Sequence, residues 1–407
     1  MQFWKRRRFL LATLVLLLVF LGVLRLLRFQ EKETLRKPRV VEKRDFNYNN
    51  RQQTVQYHPV EDSTRVPMSA ACEFYRYQDV QLHKDTPANV AASHAFINQA
   101  LAEALNPQND CQVILGRNAV YENRIMYYPT RNYPKPLKQK WYINPGFYFT
   151  TEETDEEKLK TVKQWAEAWS RSFTGSNLFG VWDWEDPKFI TMQMAMDEFA
   201  PRAGRLHTDI LYPPCFSAQK LAQWDTLPWT SQLHNKTVLI VHPFVDSIQS
   251  NQPRLHNIWA SVADFTDPNH CFPRSTKLKF IRPPMHQAES NHSHLIPWMD
   301  VLADLKEKID AVGHFDIALL GCGGFGMPLV HHISQLPHKP SAMYIGGALQ
   351  LFFGILGGRW VTGQYLKELG QYFNDAWTWP LSSDVGNSSV DAIENSAYVK
   401  PVEGSQD

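Results

Sequence analysis

Short apolar runs alternate with amphipathic stretches along most of the chain, and the two periods predict a parallel α/β body. Residues 111–116 (CQVILG), 236–241 (KTVLIV), 315–320 (FDIALL) and 342–345 (AMYI) are apolar runs of strand length. Apolar residues at helical spacing fill 89–105, 298–312 and 151–173, the last through Leu159, Val162, Trp165, Ala166 and Trp169. Asn106-Pro107 ends the first of these helices. The stretch 315–360 is the most regular, reading strand, glycine turn, helix, strand, glycine turn, helix. Gly321, Gly323, Gly324 and Gly326 follow its first run, and Gly346-Gly347 follow its second. A helix is predicted over 327–336, with Pro328 in its first turn, and another from 348. Two parallel strands joined by a helix make a βαβ unit, whose ligands sit beyond the carboxyl ends of the strands. Glycines there admit a ligand to the backbone, and helix N-terminal N–H groups favour anions, so a phosphate or diphosphate is the expected guest.

The fold class predicted is therefore α/β, with Rossmann-like parallel sheets in two subdomains, 68–229 and 230–407. Residues 201–229, rich in Pro, Trp and Arg, read as the linker between them.

The N-terminal pattern is different. Residues 9–24 carry no charge, and Leu26-Leu27 prolong the run past Arg25. With Arg25 and Arg28 snorkelling, 9–28 is long enough for one transmembrane helix, which needs about 17–25 residues. No small-x-small cleavage site follows, so a retained anchor is expected. The block Lys5-Arg6-Arg7-Arg8 points to a cytoplasmic tail, 1–8, and type II orientation. Residues 29–67 are polar and without periodicity, and read as a stem. Sequons at Asn235, Asn291 and Asn387 suit a lumenal glycoprotein. Together these predict a single-pass protein of the Golgi or another secretory-pathway membrane, with its body lumenal.

Composition narrows the chemistry. Among 407 residues, 20 % charged, the net charge is only +1, so no global field points to nucleic acid, and none is expected as a partner. Five scattered cysteines without a C-x-x-C speak against a zinc site, and their odd number leaves at least one free thiol or a bond to another chain. Cys322, in the glycine turn, is the candidate. Gly321, Gly323 and Gly326 fit G-x-G-x-x-G, yet no Asp or Glu lies between Asp316 and Glu368 to bind ribose hydroxyls. That absence speaks against an NAD-dependent oxidoreductase.

Candidate polar residues cluster at strand ends. Arg117 and Glu122 follow the first strand, as a site pair or a structural ion pair. Asp183, Glu185 and Asp186 end another, as a divalent-cation site or a solvated loop. His242 and Asp246 close the 236–241 strand, while His286, Glu289, His292 and His294 read as a solvated loop.

The order of several motifs resembles a group of glycosyltransferases of bacteria and algae related to the GT-D fold. These motifs are R-x-x-x-x-E at 117–122, a G-V-W segment, K-x-V-L-I-x-H-P-F, F-D-x-A-L-x-G-x-G-x-x-G-x-P-L, I-G-G-A-L-Q-L-x-F-G-I and G-x-R-W. The likeness spans about residues 88–400. It implies transfer of a sugar from a nucleoside-diphosphate sugar to a hydroxyl on a glycan, lipid or protein. Glu122 and Asp246 become the candidate catalytic acids. Arg117, His242, Gly321, Gly323, Gly324, Gly326, Gly346, Gly347, Gln350 and Arg359 become the donor-binding set. Mn²⁺ or Mg²⁺ is the implied cofactor, but Val120 stands where the family carries its metal acid, and Gly347 where it carries a histidine. A catalytically inactive binding or scaffold protein of the same fold is the alternative expectation.

Overall fold

The computed structural model describes residues 80–127, 146–150, 152–182, 190–217, 221–222, 225–260, 271–284 and 296–385. The expected anchor, stem, acid cluster at 183–186, histidine loop and sequons at Asn291 and Asn387 lie outside these residues. Among the described residues, no helix is long and apolar enough to cross a membrane.

Eight strands follow in chain order: β1 (Gln81–Leu82), β2 (Ile114–Arg117), β3 (Leu178–Val181), β4 (Gly204–His207), β5 (Thr237–Val241), β6 (Lys277–Ile281), β7 (Ile317–Leu320) and β8 (Ser341–Tyr344). They form one sheet in the order β1-β4-β3-β2-β8-β7-β5-β6, with every pair parallel. Thus the segments before and after residue 229 do not build separate sheets. Pairing of Ile114 with Ala342 and Leu115 with Met343 joins them. Central strands are apolar and buried on both sides, as parallel sheets covered by helices require. The edges differ: β1 has two residues, and β6 carries Lys277 and Lys279, which discourage pairing with another chain.

The helices that matter below are α1 (Pro87–Ala104), α2 (Val120–Tyr127), α3 (Asp155–Thr174), α4 (Ile190–Phe199), α5 (Val245–Asn251), α6 (Trp298–Ala311), α7 (Gly326–Ser334), α8 (Leu349–Phe352) and α9 (Gly363–Leu369). They cover the sheet on both faces. Alternate strand residues feed opposite layers: Val238 and Ile240 join Ile97 and Leu101 of α1, while Leu239 and Val241 join Trp165, Trp169 and Leu329. After β2 the chain enters the second layer through Ile125 and Met126, but after β8 it enters the first through Leu349 and Phe352. Neighbouring strands whose connections leave on opposite faces open a crevice at their carboxyl ends. That crevice separates β2 from β8.

The segment read as a linker is instead structural. Gly204–His207 is an interior strand, followed by one-turn helices at Thr208–Leu211 and Pro214–Ser217. Its sequence, GRLH, has no apolar run, and Leu206 alone supplies the core contact. Cys215 is bonded to Cys271, Cys111 is also in a disulfide, and Cys322 is the free buried thiol.

Asn177 fixes the register that leads to the crevice. Its Oδ1 accepts the Ile114 N–H at 2.9 Å, and its Nδ2 donates to Gln112 O at 2.9 Å, locking the starts of β2 and β3 together. Asn177→Ala leaves the buried Ile114 N–H without that acceptor. A loss of about 1–3 kcal/mol in denaturant unfolding is expected.

Candidate functional site

The crevice is a cleft whose walls come from the ends of four strands. Arg117 closes β2, Trp182 follows β3, Thr208 follows β4 and Ile345 follows β8. The one-turn helix at Gly358–Val361 adds Arg359 and Trp360, and α9 adds Tyr365. The cleft is small and part open to solvent, with room for the charged part of a ligand and not for a whole one.

Two guanidinium groups dominate it. Arg117 Nη1 donates to Ile345 O at 2.9 Å, and its guanidinium lies 5.3 Å from the Trp182 ring. Arg359 lies 4.1 Å over Trp360. Both reach the second glycine corner: a Cβ on Gly346 would stand 1.7 Å from Arg117 Nη1, and one on Gly347 would stand 2.2 Å from Arg359 Nη2. Here, then, the glycines admit arginine side chains.

Three donors at the cleft lack acceptors. Arg117 Nε, Thr208 Oγ1 and Trp360 Nε1 are buried with no hydrogen-bond partner. Buried polar atoms in native proteins are nearly always satisfied, so three such donors around one cleft mark a place for an acceptor-rich ligand. Tyr212 and Tyr365 share a hydrogen bond at the same wall; burial and Tyr365 raise the Tyr212 phenol, against the pull of Arg117 and Arg359. Thr208 is held from behind. Burial alone would raise the Asp209 carboxyl, but His94 and the Ser217 hydroxyl bring it below the usual range, with Ser217 Oγ donating at 2.6 Å and His94 Nε2 at 3.1 Å.

The first glycine corner is packed shut. A Cβ on Gly321 would meet the His242 ring at 2.6 Å and Gly346 O at 2.8 Å, and one on Gly326 would meet Tyr344 at 2.3 Å. Gly323 O accepts the Tyr344 hydroxyl at 2.8 Å, and Gly324 O accepts Trp165 Nε1 at 3.2 Å. These glycines serve close packing between strand and helix. His242 is buried and neutral, its pKa lowered to about 3 by desolvation, and its Nδ1 accepts the Phe244 N–H at 3.0 Å.

Gln350 does not line the cleft but braces it. Its Nε2 donates to Ile355 O at 3.1 Å and Leu356 O at 3.0 Å, fixing the turn that leads to Arg359. Glu122, in the first turn of α2, is buried within the electrostatic reach of Arg117. Burial raises its pKa, opposed by its own backbone N–H and the Arg117 charge. Asp246 is elsewhere: it lies in the first turn of α5, is bound to Arg282 at 2.5 Å, and has its pKa lowered by a hydrogen bond from Ser383 and then by Arg282. Strands β8 and β7 separate β2 from β5, so Glu122 and Asp246 follow strands about 14 Å apart at ordinary strand spacing.

No Asp or Glu occurs among the described lining residues, and no group of three or more metal-ligating side chains occurs among the described residues. Sequence reasoning reached Arg117, Arg359 and Gly346-Gly347. It passed over Thr208 and Tyr212, hidden in the supposed linker, although an aromatic and hydroxyl-rich stretch after His207 was the available signal.

Sheet order and cleft define a parallel α/β protein covered on both faces, with a cationic site at the switch in strand connection. No family model, no curated protein and no solved structure matches the chain.

Proposed function

We propose that this chain is a glycosyltransferase that moves a sugar from a nucleoside-diphosphate sugar to a hydroxyl acceptor. The observation that carries this reading is the donor-lined cleft holding Arg117 and Arg359 at the carboxyl ends of β2 and β8. Guanidinium forks match phosphate oxygens in charge and geometry. In the reaction, the bond from the anomeric carbon to the diphosphate oxygen breaks, and its electron pair leaves with the diphosphate. The acceptor oxygen bonds to that carbon, and its proton passes to a base. Arg117 and Arg359 stabilise the departing negative charge. Glu122 is the proposed base, with a basicity raised by burial. The Cys215–Cys271 disulfide supports an oxidising compartment and, with the N-terminal apolar segment, a lumenal body on a secretory-pathway membrane. A glycan, lipid or protein would supply the hydroxyl.

One observation favours a second reading, an inactive binding or scaffold protein: Glu122 does not itself line the described cleft. A panel of sugar nucleotides decides between them. Binding is read by calorimetry and donor turnover by release of nucleoside diphosphate. Turnover of one donor is the expected result; tight binding without turnover, or no binding of any member, removes the transferase and favours the scaffold.

A further inference from the structure

We infer that the cleft grips a diphosphate through guanidinium groups in place of a divalent cation, so that diphosphate binding is metal-independent. This rests on the sugar-nucleotide reading and specifies how that ligand is held.

The loose ends of the site are hydrogen-bond donors. An arginine Nε and a tryptophan Nε1 carry hydrogens and no lone pair available to a cation, so neither binds a metal. Arg117 Nε and Trp360 Nε1 are both buried without a partner, and Thr208 Oγ1 beside them is free to donate. Every one of these atoms is satisfied by an acceptor oxygen.

Charge points the same way. Arg117 and Arg359 converge on adjacent residues, Gly346 and Gly347, whose Cα atoms are about 3.8 Å apart across a trans peptide. Hard divalent cations take oxygen ligands, carboxylates above all, and the described lining residues include no carboxylate. A dication placed beside two guanidinium groups in a partly buried cleft is repelled by both. A diphosphate carries two or more negative charges on a chain of acceptor oxygens. It matches two planar cations and several neutral donors without further help.

The arginines are also prevented from folding away. Trp182 backs one and Trp360 the other, and the Ile345 carbonyl takes one Arg117 N–H, leaving the rest of that fork for the ligand. Such placement is prepaid before the ligand arrives, which lowers the ordering cost of binding.

Calorimetry on the full chain tests this, with UDP, GDP, CDP, ADP and inorganic pyrophosphate, each in EDTA and again with Mn²⁺ or Mg²⁺. At least one nucleoside diphosphate should bind in EDTA with an affinity within about twofold of that with metal. Arg359→Ala and Arg117→Ala should each weaken that binding about tenfold or more, and Arg359→Lys should restore only part of it. Circular dichroism melting of each variant confirms that the fold is kept. Binding that needs Mn²⁺ or Mg²⁺ would overturn the inference and leave the transferase reading standing. Binding in EDTA that both alanine variants retain in full would overturn the placement in this cleft. No binding of any nucleoside diphosphate, with or without metal, removes the transferase reading together with the inference.

Discussion

Gly346→Ala is expected to destabilise the body by roughly 2–5 kcal/mol and to weaken nucleoside-diphosphate binding at least about tenfold. Two costs add. Gly346 has φ +74°, a left-handed backbone in which an L side chain costs about 1–2 kcal/mol. The new methyl would also stand 1.7 Å from Arg117 Nη1 and 2.8 Å from its Cζ, so the guanidinium must leave. With it goes the hydrogen bond to Ile345 O, a charged donor on a buried carbonyl worth about 1.5–3 kcal/mol. Gly347→Ala is the control. Gly347 is not left-handed, and its Cβ meets only the flexible tip of Arg359, at 2.2 Å from Nη2. That variant should keep its unfolding free energy within about 1 kcal/mol and still lose affinity, because the new methyl meets the guanidinium end of a side chain and no backbone, and displaces that end from the ligand. Wild-type affinity in Gly346→Ala would remove Arg117 from the ligand site.

How much of this could be seen in the residues depends on where each element lies in the sheet. β5, β7, β8 and β2 were legible because interior parallel strands are covered on both faces and read as unbroken apolar runs. β4 is equally interior, but Arg205 and His207 break its apolar pattern. Arg205 turns to Asp197 at 2.9 Å, and the His207 N–H donates to Ser93 Oγ at 2.9 Å. Asp197, in α4, is only eight positions away, but Ser93, in α1, is 114 away and in no local window. Edge position hid β6, whose lysines look like a solvated stretch.

The site shows the same division. Glycine at a strand end signals close approach, and at 321, 326, 346 and 347 close approach is what occurs. What approaches cannot be read from the glycine. At Gly321 and Gly326 it is His242 and Tyr344, which close the corner. At Gly346 and Gly347 it is a pair of arginines, which turn the corner into a cationic surface. Arg117 and Ile345 are 228 positions apart and meet only because β2 pairs with β8, a neighbour relation fixed by the sheet order.

Glu122→Gln is expected to lower donor turnover about 10²–10⁴-fold while making the protein more heat-stable near neutral pH. The two effects have one origin. Glu122 is 8 % exposed, and burial raises its pKa above the ordinary 4.5, with its own N–H and Arg117 only partly opposing. Between 4.5 and the raised value the folded chain holds a proton that the unfolded chain has lost. Stability contributed by this carboxyl is therefore complete below 4.5 and declines as pH rises through the folded value. Glutamine is neutral at every pH, so its melting-temperature advantage should be small near pH 4.5 and widen towards pH 8. Turnover by the native chain should rise over the same interval, since the ionised form is the one that accepts the acceptor's proton. The amide has the shape and not the basicity. A variant that melts higher at pH 8 and turns over donor at the native rate would show that Glu122 is a buried charge beside Arg117 without a part in proton transfer, and the base would then have to be sought among other residues at the carboxyl ends of β2 and β3.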